Sequence, residues 1–184
     1  VRWAHIIFGV AWIGTSFYFN WLDSRLERDD PNFKHLDGYL WSVHSGGFYR
    51  IEKLKGPPES LPKVLHWFKW EAYATWISGF VLLILVYYFN TSSMMLKNDG
   101  YNLTPSLAIA LSLSLLFGSW FIYDFICKNI DENKQGLLVI IGFVIFVFFS
   151  YFLTEIFGSR AAYIHVGAII GTIMAANVFR VIIP

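Results

Sequence analysis

The stretch RAAYIHVGAIIGTIMAANVFRVIIP, residues 160–184, decides the fold. Between Arg160 and Arg180 it carries no Lys, Arg, Asp or Glu. At about 1.5 Å of rise per residue such a run is long enough to cross a bilayer. Backbone groups in lipid must be satisfied within the segment, so the run reads as a helix. It holds one histidine, His165, among small residues: Gly167, Ala168, Gly171, Ala175 and Ala176. Gly167 and Gly171 are four apart and share a helix face, where another helix or a flat ligand can approach closely. An ionisable side chain inside a span is costly and marks a site by default.

Four more uncharged runs precede it, giving expected spans at about 3–22, 68–90, 104–124, 136–155 and 161–183. The expected fold is therefore all-α and membrane-integral. It is a single domain over 1–184: a bundle of five transmembrane helices. Composition agrees: of 184 residues 56% are hydrophobic and 20% aromatic, and only 15% are charged, less than in soluble domains. A net charge of +1 gives no case for a nucleic-acid partner; membrane lipid is the expected surrounding. The lone Cys127 excludes an intrachain disulfide and any Cys-x-x-Cys-His attachment of haem c within these residues. The start at Val1 and the stop at Pro184 after an apolar run read as a fragment of a larger bundle.

Lys and Arg set the expected orientation. With the N-terminus outside, the inner side receives Arg25, Arg28, Lys34, Arg50, Lys53, Lys55, Lys63, Lys69, Lys128, Lys134 and Arg180, eleven of the 14. The outer side receives Arg2, Lys97 and Arg160, the other three. The inner loop, 23–65, is the only long segment outside the spans. Within it Leu40, Val43, His44, Gly47, Phe48 and Ile51 fall at helical spacing, so residues 39–54 are expected to form an interfacial helix with His44 on its buried face. Gly46–Gly47 weakens that helix or marks a close backbone approach.

The histidines sort by depth. His5 and His165 fall near the outer ends of the first and fifth spans; His44 and His66 fall at the inner boundary. Gly9 and Trp12 follow His5 by one and two turns. Haem b held between two facing imidazoles needs one histidine from each of two helices, and His5 with His165 meets that need. Iron would sit between ring nitrogens facing each other across about 4 Å, with Gly9, Trp12, Gly167 and Gly171 around the porphyrin. The alternative is two histidines on separate faces, each hydrogen-bonded to a neighbouring helix. At the inner boundary His44, His66 and Glu71 are candidates for proton handling or a second haem, with Arg50 or Lys53 as the expected partner of Glu71. For His66 the alternative is an aromatic-belt residue beside Trp67 and Trp70. No hydrolytic triad, phosphate loop or thiol metal site is present in the sequence.

Four blocks in order carry a resemblance: RWAHIIFGVAWIGTSFYFNWLD, WSVHSGGFYRIEK, LHWFKWEAYATWISGF and HVGAIIGTIMAANVFRVIIP. Together they resemble the membrane-embedded N-terminal domain of the bacterial urate hydroxylase family. The resemblance covers the first, second and fifth spans and the inner loop. It implies a bacterial inner-membrane protein, oxidation of urate to 5-hydroxyisourate, and electrons passed to a c-type cytochrome domain or protein. Haem c would belong to a C-terminal domain outside these residues. The chain departs from the family pattern at Ser45, where a further glycine is expected. The start His5 to Gly14 also resembles small haem-b membrane proteins of the protoporphyrinogen oxidase and copper-resistance type. A haem-b carrier or anchor without urate chemistry, and a cofactor-free transport or assembly module, are the alternatives to a urate-oxidising enzyme.

Overall fold

A computed structural model describes residues 1–28, 34–97 and 103–182. Six α-helices and one hairpin make up the described residues: α1 (Arg2–Arg25), β1 (Leu36–His44), β2 (Gly47–Leu54), α2 (Lys69–Leu83), α3 (Thr91–Met94), α4 (Pro105–Asn129), α5 (Gln135–Ile156) and α6 (Ser159–Asn177). Two of them continue through a wider π-helical turn, α2 through Ile84–Tyr88 and α6 through Val178–Ile182. In the first, the Phe89 N–H donates to the Ile84 carbonyl, five residues back, at 3.1 Å.

Four helices are long and apolar enough to cross a membrane: Lys69–Tyr88, Pro105–Asn129, Gly136–Ile156 and Ser159–Val181. The first expected span, α1, has the length, but Thr15, Ser16, Asn20 and its Tyr and Trp residues leave it less apolar than those four. Helix α5 shows why lipid is needed. Val139, Ile140, Phe143, Val144, Val147, Phe148 and Tyr151 are all exposed on it, a surface that water would not tolerate.

The core lies where α4 meets α6. Ala108, Ser112, Leu116 and Ser119 on α4 face Ala161, Ala162, His165, Ile169 and Thr172 on α6, all buried. Their spacing of three and four keeps each set on one face. Their small size lets the backbones approach, as association in lipid requires. Leu83 and Tyr87 of α2, with Met95, Leu153 and Phe157, close the same cluster. At one end of the bundle the Gly158 N–H donates to the Met95 carbonyl at 2.9 Å and Lys97 Nζ donates to the Thr154 carbonyl at 3.3 Å. At the other end Phe19 packs edge-on against Phe68, with ring centroids 5.0 Å apart, and Tyr73 meets Phe179 at 6.1 Å. Thr104 caps α4, its hydroxyl accepting from the Leu107 N–H at 3.4 Å, with Pro105 in the first turn where no N–H is missed.

Residues 39–54 are not an interfacial helix. They lie in an antiparallel hairpin, paired from Gly38↔Lys53 to His44↔Gly47. Tyr39, Trp41, Val43, Phe48, Tyr49 and Ile51 are aromatic or β-branched and favour a pleated surface. Ser45 and Gly46 form the two-residue turn, with φ of 51° and 77°. Two consecutive positive φ values suit the right-handed twist of a hairpin and break a helix. The hairpin docks on the end of α1. Glu27 and Tyr39 exchange backbone hydrogen bonds at 2.8 and 3.1 Å. A Cβ on Gly38 would stand 2.8 Å from Leu26 Cβ, so only glycine permits that approach. Lys53 Nζ bonds Asp23 Oδ1 at 2.6 Å and reaches Asp37 at 3.4 Å. Its hydrogen bond holds the Asp23 carboxyl below the usual carboxylate range, and Asp23 in turn raises Lys53. The tie therefore persists through neutral pH. It is lost as pH falls through the lowered Asp23 pKa, or rises through the raised Lys53 pKa.

Ser45 is the one non-glycine residue with positive φ among the described residues. A left-handed conformation costs an L-residue about 1–2 kcal/mol, and glycine's extra freedom in the unfolded chain offsets part of any relief. Ser45→Gly is expected to stabilise the hairpin by about 0.5 kcal/mol, slowing hydrogen exchange of the 36–54 ladder amides roughly twofold. Faster exchange in the variant would show that the Ser45 hydroxyl, 3.1 Å from His44 Nδ1, matters more than the backbone.

Candidate functional site

Helices α1, α2 and α6 enclose a cleft of ≈ 770 Å³, within the range of ligand sites. Trp12, Trp76 and Phe80 give it flat aromatic walls; Gly167 and Gly171 lie on its α6 side beside Tyr163, Ile164 and Ala168. A Cβ on either glycine would meet nothing within 4 Å, so the small residues open space here and do not seat a helix. Trp76 Nε1 donates to Thr172 Oγ1 at 3.0 Å, tying α2 to α6 at the back of the cleft, and its ring stacks on Phe80 at 5.3 Å. Gly9 faces α2, where a Cβ would stand 3.8 Å from Thr75 Cγ2.

His5 lines the cleft. Its Nδ1 lies 3.1 Å from the Thr75 carbonyl and 3.2 Å from Ser78 Oγ. A carbonyl only accepts, so Nδ1 carries the proton and Nε2 keeps its lone pair. None of the described residues hydrogen-bonds that Nε2. Behind the ring a Cβ on Gly79 would lie 2.8 Å from His5 Cε1, so glycine at 79 gives the imidazole its place.

His165 is elsewhere. It is 1% exposed and sits in the α4–α6 core, outside the cleft lining. Nδ1 donates to the Ala161 carbonyl at 2.7 Å; Nε2 accepts from Ser112 Oγ at 2.8 Å. Tyr88 donates to the same hydroxyl at 2.7 Å, so every member of the chain is satisfied. Phe157 and Tyr87 pack on the ring at 4.9 and 6.0 Å. The expected pairing of His5 and His165 on one iron is therefore not formed: both nitrogens of His165 are engaged within the protein. Residues 165 and 167 are two apart and lie on nearly opposite helix faces. Gly167 faces the cleft and His165 faces α4. The donor set of the cleft fits a flat macrocycle with one imidazole on its metal, from His5, and does not fit a bis-histidine haem.

At the Phe68 end of the bundle His66 Nε2 lies 3.1 Å from Glu71 Oε1. Glu71 Oε2 is buried with no hydrogen-bond partner among the described residues, an unusual state for a carboxylate oxygen. Neither Arg50 nor Lys53 supplies the partner expected for Glu71: Arg50 pairs with Glu52 at 3.0 Å and Lys53 with Asp23. His66 also meets Phe68 edge-on at 4.7 Å, and Lys69 Nζ lies 4.8 Å from the Trp67 ring centroid, so the aromatic belt is present beside the pair. His44 is not part of this group. It is exposed at the hairpin turn, not on a buried helix face, and its Nδ1 bonds Ser45. Among the described residues no three His, Cys, Asp or Glu side chains gather as a metal site.

The family described as urate oxidase N-terminal matches the chain over residues 1–184. The chain belongs to that family. No curated protein and no solved structure matches it. In this urate oxidase N-terminal chain the four sequence blocks become α1, the hairpin, the start of α2, and α6. They supply His5, Trp12, Thr75, Trp76, Gly79, Gly167 and Gly171 to the cleft. Sequence reasoning missed Thr75, Trp76, Ser78 and Gly79. Thr75 and Gly79 are four apart and Ser78 three from Thr75, so this face of α2 is small and polar enough to receive an imidazole. Arg2 and Arg160 also line the cleft, although in the sequence they count only as outer-side charges.

Proposed function

We propose that this chain is the membrane module of a bacterial inner-membrane enzyme that oxidises urate to 5-hydroxyisourate and passes the electrons to a c-type cytochrome. The family match over the whole chain carries this reading. Urate and water give 5-hydroxyisourate, two protons and two electrons. His5 would hold haem b in the cleft, and the group would supply the one-electron chemistry needed between a two-electron donor and a one-electron acceptor. The chain's own residues hold the proton side. His66 orients Glu71 through Oε1, and the buried Oε2, unpartnered among the described residues, is the acceptor for a proton relayed to it from substrate.

Five spans with the N-terminus outside suit this division. Trp3, Ile6, Ile7, Val10, Ile13 and Phe17 make an exposed apolar stripe along α1, a lipid-facing surface of the same kind as that of α5. The eleven-to-three split of Lys and Arg supports an orientation with the His66–Glu71 end inside and the Arg2–Arg160 end of the cleft outside. Substrate then meets the protein from the cytoplasm and the electron acceptor waits on the other face.

Glu71→Gln keeps the shape and removes the base. It is expected to lower kcat for urate about a hundredfold or more, the usual contribution of a positioned proton acceptor, with the Soret band unchanged. Urate-dependent cytochrome c reduction in membranes measures this. Full activity in Glu71→Gln would leave the pair with a packing role.

A further inference from the structure

The lining of the cleft carries two guanidinium groups and no carboxylate: Arg2 in the first turn of α1 and Arg160 in the first turn of α6. Both are exposed, at the end of the bundle where these two helices begin. Among the described residues no carboxylate forms an ion pair with either. Two cations thus line one end of a space with flat aromatic walls, whose α6 side is opened by Gly167 and Gly171 among apolar neighbours. The complementary ligand has a flat apolar body and two anionic groups along one edge. A single purine anion would fill only part of ≈ 770 Å³ and could engage one guanidinium. A tetrapyrrole fills more of it, and its two carboxylate side chains leave the ring on one edge.

We infer that Arg2 and Arg160 bind the two carboxylates of a dicarboxylic tetrapyrrole seated in the cleft. This rests on the haem reading above and adds to it the residues that set which edge faces the mouth. Guanidinium groups suit the task because their planar fork meets a carboxylate with two hydrogen bonds. The competing occupant is a lipid phosphate, to which arginines at helix ends also reach.

The test uses the full-length protein from haem-limited cells, in nanodiscs of phosphatidylcholine, titrated with iron protoporphyrin IX and with its dimethyl ester while the Soret band is followed. The ester has the same ring and iron but no anionic groups. The native protein is expected to bind the diacid about tenfold more tightly than the diester or better, a modest value because both arginines are solvent-exposed. In Arg2→Gln/Arg160→Gln the preference should fall to within about twofold, with diester affinity unchanged. Equal binding of diacid and diester by the native protein, or a preference that survives in the double variant, overturns the assignment and leaves the arginines to lipid phosphate. Binding of neither ligand by the native protein removes the haem reading and the assignment with it. If the double variant binds neither, the same ratio is read in Arg2→Gln and Arg160→Gln singly: a reduced preference in each supports the assignment, and an undiminished one overturns it.

Discussion

His5→Ala is expected to remove the haem absorbance and to lower urate-dependent reduction of cytochrome c by about a hundredfold or more, because losing a ligand costs at least as much as losing a group that merely supports one. The reason is geometric. Nδ1 of His5 is spent on the Thr75 carbonyl at 3.1 Å, which fixes the tautomer and leaves the lone pair on Nε2 of a residue that lines the cleft. No other histidine lines that space. Pyridine haemochrome analysis of the purified variant reads the result directly. An unaltered Soret band in His5→Ala would place any haem elsewhere and remove the functional meaning given to the cleft.

His165→Ala is expected to behave in the opposite way. Two hydrogen bonds vanish from a residue only 1% exposed, a hydroxyl chain from Tyr88 and Ser112 loses its end, and a cavity opens beside Phe157. Together these should destabilise the bundle by about 2–4 kcal/mol, read as a lowered unfolding midpoint in detergent. Protein that remains folded should keep its haem band. A lost band with an unchanged midpoint would mean that His165 leaves the core to bind iron after all.

The two histidines show what a sequence can and cannot disclose. Composition alone marks the long apolar runs, because lipid demands length and an absence of charge. It marks His165 too, because an imidazole is rare in such a run. It does not say which way His165 faces. Gly167 lies two residues on, and proximity in the chain made one site of residues that the helix turns to opposite sides. The deciding fact is the match between Ala108 and Ser112 on one helix and Ala161 and His165 on another, and α4 gives no sign of that register. The hairpin was hidden differently. Leu40, Val43, His44, Gly47, Phe48 and Ile51 do stand at helical spacing, and that count outweighed two better signals: the aromatic and β-branched residues on both sides of the turn, and the Ser45–Gly46 pair that needs two left-handed residues. The hairpin also holds Arg50 and Lys53, which pair within it and with the end of α1 and not with Glu71. His66 was its partner, five residues away.

The π-helical turn at Ile84–Tyr88 carries a consequence for how one helix serves two histidines. Below it, Thr75, Ser78 and Gly79 of α2 receive His5. At and beyond it, Tyr87 packs on His165 and Tyr88 bonds the hydroxyl that His165 accepts from. In a continuous α-helix each residue advances the facing direction by about 100°, so the two contact sets would be locked in one phase. The wider turn takes up one residue of slack between them. It works as a clutch in the shaft: the half that seats His5 and the half that packs on His165 are indexed separately. A single-residue deletion within 84–86 would close the wider turn into a regular helix with both contact sets near their present facing, whereas a second deletion there would turn Tyr87 and Tyr88 about 100° away from His165.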